Sequence, residues 1–137
     1  MADTGYNWDA GWTVIDAAIV LTQGATTTDT SAVIDCDGKA ACEISIDADY
    51  SNDAKATAGL FVYVLRDIDG TSYEVEADLP WGFEMPFTQS GTHRRCFTVD
   101  CSQISEFTLH LDWDNSTGGS IVTVATAKKY ATIPVAS

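Results

Sequence analysis

Hydrophobic and polar residues alternate along much of this chain with a period of two. Phe107, Leu109, Leu111 and Trp113 are separated by Thr108, His110 and Asp112, which predicts a strand with one buried face. Cys42, Ile44, Ile46 and Ala48 alternate with Glu43, Ser45, Asp47 and Asp49 in the same way. GWTVIDAAIVL at 11–21 and SIVTVATA at 120–127 are β-branched runs of strand length. Turn signals punctuate them at Gly24, Asp37-Gly38, Asp69-Gly70, Ser90-Gly91 and Asp114 to Gly119. No stretch shows a capped 3.6-residue period, and Thr and Val dominate where a helix wants Ala, Leu, Glu and Lys. The pattern predicts an all-β chain of eight or nine strands with no long helix. Its expected form is a single-domain β-sandwich over residues 1–137, jelly-roll-like, with 1–10 as an extended N-terminal arm.

Two segments depart from the inside–outside rule. LFVYVL at 60–65 is apolar on both faces, so Phe61, Tyr63 and Leu65 must meet either a loop of the same chain or another subunit. DLPWGFEMPF at 78–87 holds too much proline for a central strand and too many aromatic residues for an idle loop. Its Trp81, Phe83 and Phe87 either cap the sandwich or insert into a neighbour. Trp8 and Trp12 in GYNWDAGW pose the same choice.

Composition narrows the partners. The chain has 137 residues and a net charge of −13, from seven Lys+Arg against twenty Asp+Glu. That balance disfavours nucleic acid and anionic membranes, which are held by cations, and points to basic or apolar partner surfaces. The apolar run VIDAAIVL at 14–21 is short, is interrupted by Asp16 and lacks a basic segment before it. Neither a signal peptide nor a membrane span is therefore expected, and synthesis in a reducing cytoplasm makes the four cysteines thiols by default. In that setting the sequon Asn115-Ser116-Thr117 has no meaning.

THRRCFTVDCSQ at 92–103 concentrates the remaining chemistry. A nucleophile needs an activating base, and only His93 and His110 are available, without a nucleophile elbow or an oxyanion loop. No catalytic residue is expected. Cys36-x5-Cys42 and Cys96-x4-Cys101 lack the tight knuckle that wraps zinc, so no metal or cofactor is expected there. Cys36 and Cys42 flank a turn closely enough for a bridge, against which the reducing compartment argues. Asp47, Asp49 and Asp53, with Asp67 and Asp69, lack the ligand ladder of a calcium loop and are read as solvated turns. Adjacent strand residues point to opposite faces, so Arg94 lies with Cys96 and Thr98, and Arg95 with Phe97 and Val99. One arginine is expected at the edge of the core with its head on an acidic residue, the other facing solvent or a partner. Arg94 and Arg95 thus join Trp8, Trp12, Phe61, Tyr63, Trp81, Phe83 and Phe87 as interface candidates.

HRRCFTVDCSQISEFTLHLDWDNSTGGSIVTVATAKKYAT resembles the carboxy-terminal signature of small virion proteins of tailed bacteriophages. The matching positions are Arg94, Arg95, Phe97, Val99, Asp100, Phe107, Leu109, Asn115, Val122 and Val124. The preceding VYVLRDIDGTSYEVEADLPWGFEMPF is similar to their middle portion, so that the resemblance covers residues 58–127, a little over half the chain. It contains no catalytic residue and does not include the cysteines. The resemblance implies a capsid decoration (cement) protein on the outer capsid surface of the virion, made in the host cytoplasm. It also implies the major capsid protein as partner and a homo-oligomer, with a trimer favoured. A tail or head–tail connector component is the alternative within the virion. A carbohydrate-binding β-sandwich module is the alternative outside it, using Trp8, Trp12, Trp81 and Trp113 as a stacking platform.

Overall fold

The protein is described by a computed structural model that covers residues 7–22, 27–50, 59–67, 71–75, 80–88, 90–102, 104–113 and 121–132. The turn signals at Gly24, Asp69-Gly70 and 114–119, together with Asp53 and Asn115, lie outside the described residues, as do residues 1–6. Ten strands are present among the described residues. They are β1 (Asn7–Trp8), β2 (Thr13–Thr22), β3 (Thr28–Thr30), β4 (Ile34–Asp35), β5 (Ala41–Tyr50), β6 (Phe61–Asp67), β7 (Gly82–Glu84), β8 (Thr92–Asp100), β9 (Glu106–Asp112) and β10 (Ile121–Thr132). The count exceeds the eight or nine read from periodicity because β1, β3, β4 and β7 are only two or three residues long. Among the described residues no helix is long and apolar enough to cross a membrane.

Strand order explains how so short a chain buries a core. In the first sheet β1 and β2 pair successively along one side of β10, followed by β5 and then β8. In the second, β3 and β4 pair along β9, followed by β6 and β7. Every pairing is antiparallel. From β2 to β3, β4 to β5, β5 to β6, and β7 through β10, each connection crosses from one sheet to the other. That winding, with two Greek keys wrapped round one core, is a jelly roll.

The alternation seen in the sequence sets the inner faces. Ile44, Ile46 and Ala48 of β5 lie beside Val122 and Val124 of β10, opposite Val62 and Val64 of β6 and Leu109 and Leu111 of β9. Tyr50, Leu60, Met85 and Trp113 are buried in the same core. The Tyr50 hydroxyl donates to the Pro86 carbonyl at 2.9 Å and accepts the Leu60 N–H at 3.1 Å, so its polar tip is satisfied. Its ring meets Phe87 edge-on at 4.9 Å and Trp113 at 6.0 Å. Phe87 therefore caps the sandwich from within. Residues 7–10, expected as part of an arm, begin with Asn7–Trp8 docked on Thr132 and Ala131 of β10.

One irregularity shapes the first sheet. The β2–β10 register slips on both sides of Thr126, as a β-bulge does. There the Asp16 N–H donates to the Thr126 hydroxyl at 3.1 Å, and the Asp16 carboxylate accepts the Ala32 N–H at 3.1 Å. The bulge thus ties β2 to the segment between β3 and β4, at the edge where the two sheets meet.

Candidate interface site at the open flank

β8 ends the first sheet: it pairs with β5 on one side, and no described strand pairs with the other. Register places Arg94, Cys96 and Thr98 across from Asp47, Ser45 and Glu43 on the outer face. His93, Arg95, Phe97 and Val99 lie across from Ala48, Ile46, Ile44 and Cys42 on the inner one. The parity expected from the sequence holds, but the acidic partner belongs to the other arginine. Arg94 Nε lies 3.0 Å from Asp47 Oδ1 on the outer face. The Arg95 guanidinium instead lies over the Phe83 ring, 4.2 Å from its centre. The flank offers Arg95 an aromatic face within reach of its stem, and a weakly hydrated guanidinium stacks there readily.

The facing edge belongs to β7. A Cβ at Gly82 would stand 2.6 Å from the Tyr63 ring and 2.7 Å from the Val62 carbonyl, so only glycine lets this short strand lie against β6. Trp81 and Phe83 flank it. Trp81 lies 5.2 Å from Phe97 and 5.5 Å from Phe83, and Phe83 meets Phe97 edge-on at 5.2 Å. These separations are those of attractive aromatic pairs. Phe83 is 8% exposed whereas Trp81 is 54% exposed, so the cluster has a buried root and an open tip. Beside it runs a groove of about 330 Å³ lined by Val64, Arg66, Trp81, Thr98, Val99 and Asp100.

Charges at the groove are fixed in place. Arg66 binds Glu74 through two nitrogens, at 2.8 and 3.0 Å, and this contact holds the Glu74 carboxyl below its usual range. Asp100 accepts the Ser102 N–H at 2.9 Å and the Ser102 hydroxyl at 2.7 Å, which lowers its pKa as well. A strand edge that no described strand covers, an aromatic cluster and held charges of both signs are features that suit protein–protein contacts in general.

The remaining candidates fall elsewhere. Phe61 and Tyr63 stack at 5.3 Å on the outer face of the second sheet, both half-buried, with His110 6.3 Å from Tyr63. Trp8 and Trp12 lie at the opposite flank from Trp81, and Lys129 Nζ sits 4.9 Å over the Trp12 ring. Trp113 is only 1% exposed. The four tryptophans therefore do not share a face, and the stacking platform drawn from them does not assemble. His93 bonds Thr88 at 3.0 Å and faces away from Cys96, so that pair makes no dyad. Among the described residues no group of three or more His, Cys, Asp or Glu could hold a metal ion.

Phe97 belongs to the site although it was not among the interface candidates. Its parity with Arg95 was the available signal, whereas its contact with Trp81 spans two sheets. All four cysteines are free thiols, and the sulfur that meets Cys36 is that of Cys101, at 2.7 Å, whereas spacing along the chain had singled out Cys42. Cys42 sits in the core, and burial pushes its thiol up to about 12. Cys96 alone is exposed. In the reduced native protein one thiol is expected to react promptly with a water-soluble alkylating reagent, and peptide mapping should place the label on Cys96. Prompt labelling of Cys42 would contradict this packing. The Arg94–Asp47 pair is exposed, so Arg94→Ala should change unfolding free energy by only ~0–1 kcal/mol in urea titrations.

No protein-family model and no curated protein matches the chain. Among solved structures it is similar to the CBM22-1 xylan-binding domain of Paenibacillus barcinonensis Xyn10C, at 12% identity over 90% of this chain and 88% of that one, with a TM-score of 0.45. It is similar to a chain of the human norovirus GI.7 Houston strain virus-like particle, at 7% identity over 91% of this chain and 33% of that one, with a TM-score of 0.49. A chain of the cyanophage Pam1 capsid asymmetric unit is similar at 13% identity over 96% of this chain and 89% of that one, with a TM-score of 0.41. The protein spans a third of the norovirus chain. At these identities the likenesses concern the fold, and strand order alone carries the jelly-roll assignment.

Proposed function

We propose that this chain is a non-enzymatic structural protein of a bacteriophage particle, a decoration protein that docks on the assembled capsid shell through its open flank. The observation that carries this reading is the cluster of Trp81, Phe83, Phe97 and Arg95 beside the edge of β8 that no described strand covers. Aromatic residues and arginine dominate the energetics of protein contacts, and the exposed Trp81 is backed by the buried Phe83. The net charge of −13 supports a basic or apolar partner and keeps copies from aggregating through that flank. The resemblance of residues 58–127 to small virion proteins supports the major capsid protein as that partner and a homotrimer as the decorating unit.

The test uses purified protein and preformed shells that lack it. Saturable binding to shells is expected, much tighter than binding to isolated capsid subunits, together with a rise in the heat resistance of the shells. A ligand bound only to the assembled state shifts the equilibrium toward assembly. Equal affinity for isolated subunits and shells would contradict the proposal.

A further inference from the structure

Two buried sulfurs are brought together by segments 65 residues apart. Cys36 follows β4 and opens a turn through Gly38, whose φ of 74° suits glycine; Cys101 follows β8. Each cysteine is anchored to the other's segment. The Cys36 N–H donates to the Ser105 carbonyl at 2.9 Å, and the Cys101 N–H donates to the Ala40 carbonyl at 3.0 Å. The Lys39 N–H closes the turn on the Cys36 carbonyl at 3.0 Å. Within this frame the two Sγ atoms are 2.7 Å apart, inside the contact distance of unbonded sulfurs, and both residues are buried. Cys42 belongs to the same core, so a competing partner is at hand.

We infer that Cys36 and Cys101 are a built disulfide site, closed by a small neutral two-electron oxidant such as hydrogen peroxide. In the first step the Cys101 thiolate attacks one peroxide oxygen. The S–O bond forms as the O–O bond breaks, and the departing hydroxide takes up a proton as water. Cys36 then attacks the sulfenic sulfur. The S–S bond forms, the S–O bond breaks, and the released hydroxide leaves as water with the Cys36 proton. Two thiols lose two electrons and one peroxide becomes two waters. The Cys36 Sγ–H donates to the Cys101 sulfur, a contact that favours Cys101 as the attacking thiolate. A neutral oxidant suits a buried pair in a strongly acidic chain, where anionic glutathione disulfide is repelled. Because Cys36 follows a strand of one sheet and Cys101 a strand of the other, the bond would pin the two sheets together at the end of β8, next to the docking groove at Asp100.

The experiment uses Cys96→Ser protein, which removes the exposed thiol and leaves three. It is reduced, treated with hydrogen peroxide while folded, then denatured, alkylated and mapped without reduction. One remaining thiol, at Cys42, and a single cross-linked peptide joining Cys36 to Cys101 are expected. A rise in melting temperature of roughly 10 °C that a reductant reverses should accompany the bond, because it closes a long loop. Adding Cys36→Ala should abolish the cross-link, and the map of the parent protein stands alone if that variant fails to fold. A link from Cys42 to either partner, or survival of all three thiols, would overturn the inference. Separate oxidation of Cys36 and Cys101 to sulfinic acids would overturn it equally.

Discussion

Replacing Gly59 with alanine should cost about 3 kcal/mol or more of unfolding free energy, seen as a large fall in the urea midpoint. The added Cβ would stand 1.8 Å from the Met85 carbonyl oxygen and 3.3 Å from the Tyr50 hydroxyl. Neither obstacle is a flexible side-chain tip. Met85 donates its N–H to the Leu60 carbonyl at 2.7 Å, so withdrawing its backbone strains that bond. Displacing Leu60 instead disturbs its N–H bond to Tyr50, and with it the hydroxyl's bond to Pro86. Every route out of the clash therefore loosens the closed end of the sandwich. Gly11, with nothing within 4 Å of its Cβ position, provides the control, and Gly11→Ala should leave the midpoint nearly unchanged. Equal stability of the two variants would contradict the close approach of the two backbones.

Trp113→Ala should cost about 3–5 kcal/mol, the range for a large buried aromatic side chain cut back to a methyl group. The residue is among the largest fully buried side chains, and its ring lies against Tyr50. Its backbone N–H donates to the Thr27 carbonyl at 2.8 Å, so the segment stays in place and a cavity remains. Set against a domain stability of roughly 5–15 kcal/mol, the loss should leave a protein that melts far lower and unfolds at much lower urea. Trp113→Phe should recover a large part of it. This pair of variants also separates core from surface: a tryptophan serving a ligand on the outside could be removed without harm to folding. Wild-type melting of Trp113→Ala would place the side chain outside the core.

How much of this was written in the sequence depends on how local each feature is. Strands β5 and β9 carry their faces in plain alternation, and the same parity put Arg94 and Arg95 on opposite sides of β8. The turns at Gly38 and Ser90-Gly91 likewise follow from residues able to take positive φ or close a tight bend. Strand β7 was hidden because three residues between Trp81 and Met85 have no period to read. The site on the flank was only half visible. Trp81, Phe83 and Arg95 stood out singly, while their meeting with Phe97 depends on which edges the two sheets leave adjacent. A carboxylate partner for the arginine at the edge of the core is what charge alone suggests, whereas the position of the Phe83 ring under Arg95 cannot be read from sequence. Cys42 is likewise the partner that spacing along the chain offers Cys36. Proximity along the chain is visible, but the approach of Cys101 requires both sheets to be wound.

The most direct test of docking through the open flank is to titrate Trp81→Ala and Arg95→Ala proteins against shells that lack the decoration protein, beside the wild type. Each variant should bind about 10–100-fold more weakly, the equivalent of ~1–3 kcal/mol, while its melting temperature falls by no more than a few degrees. Retention of wild-type affinity by both variants would contradict the account and place the contact with the shell on another face.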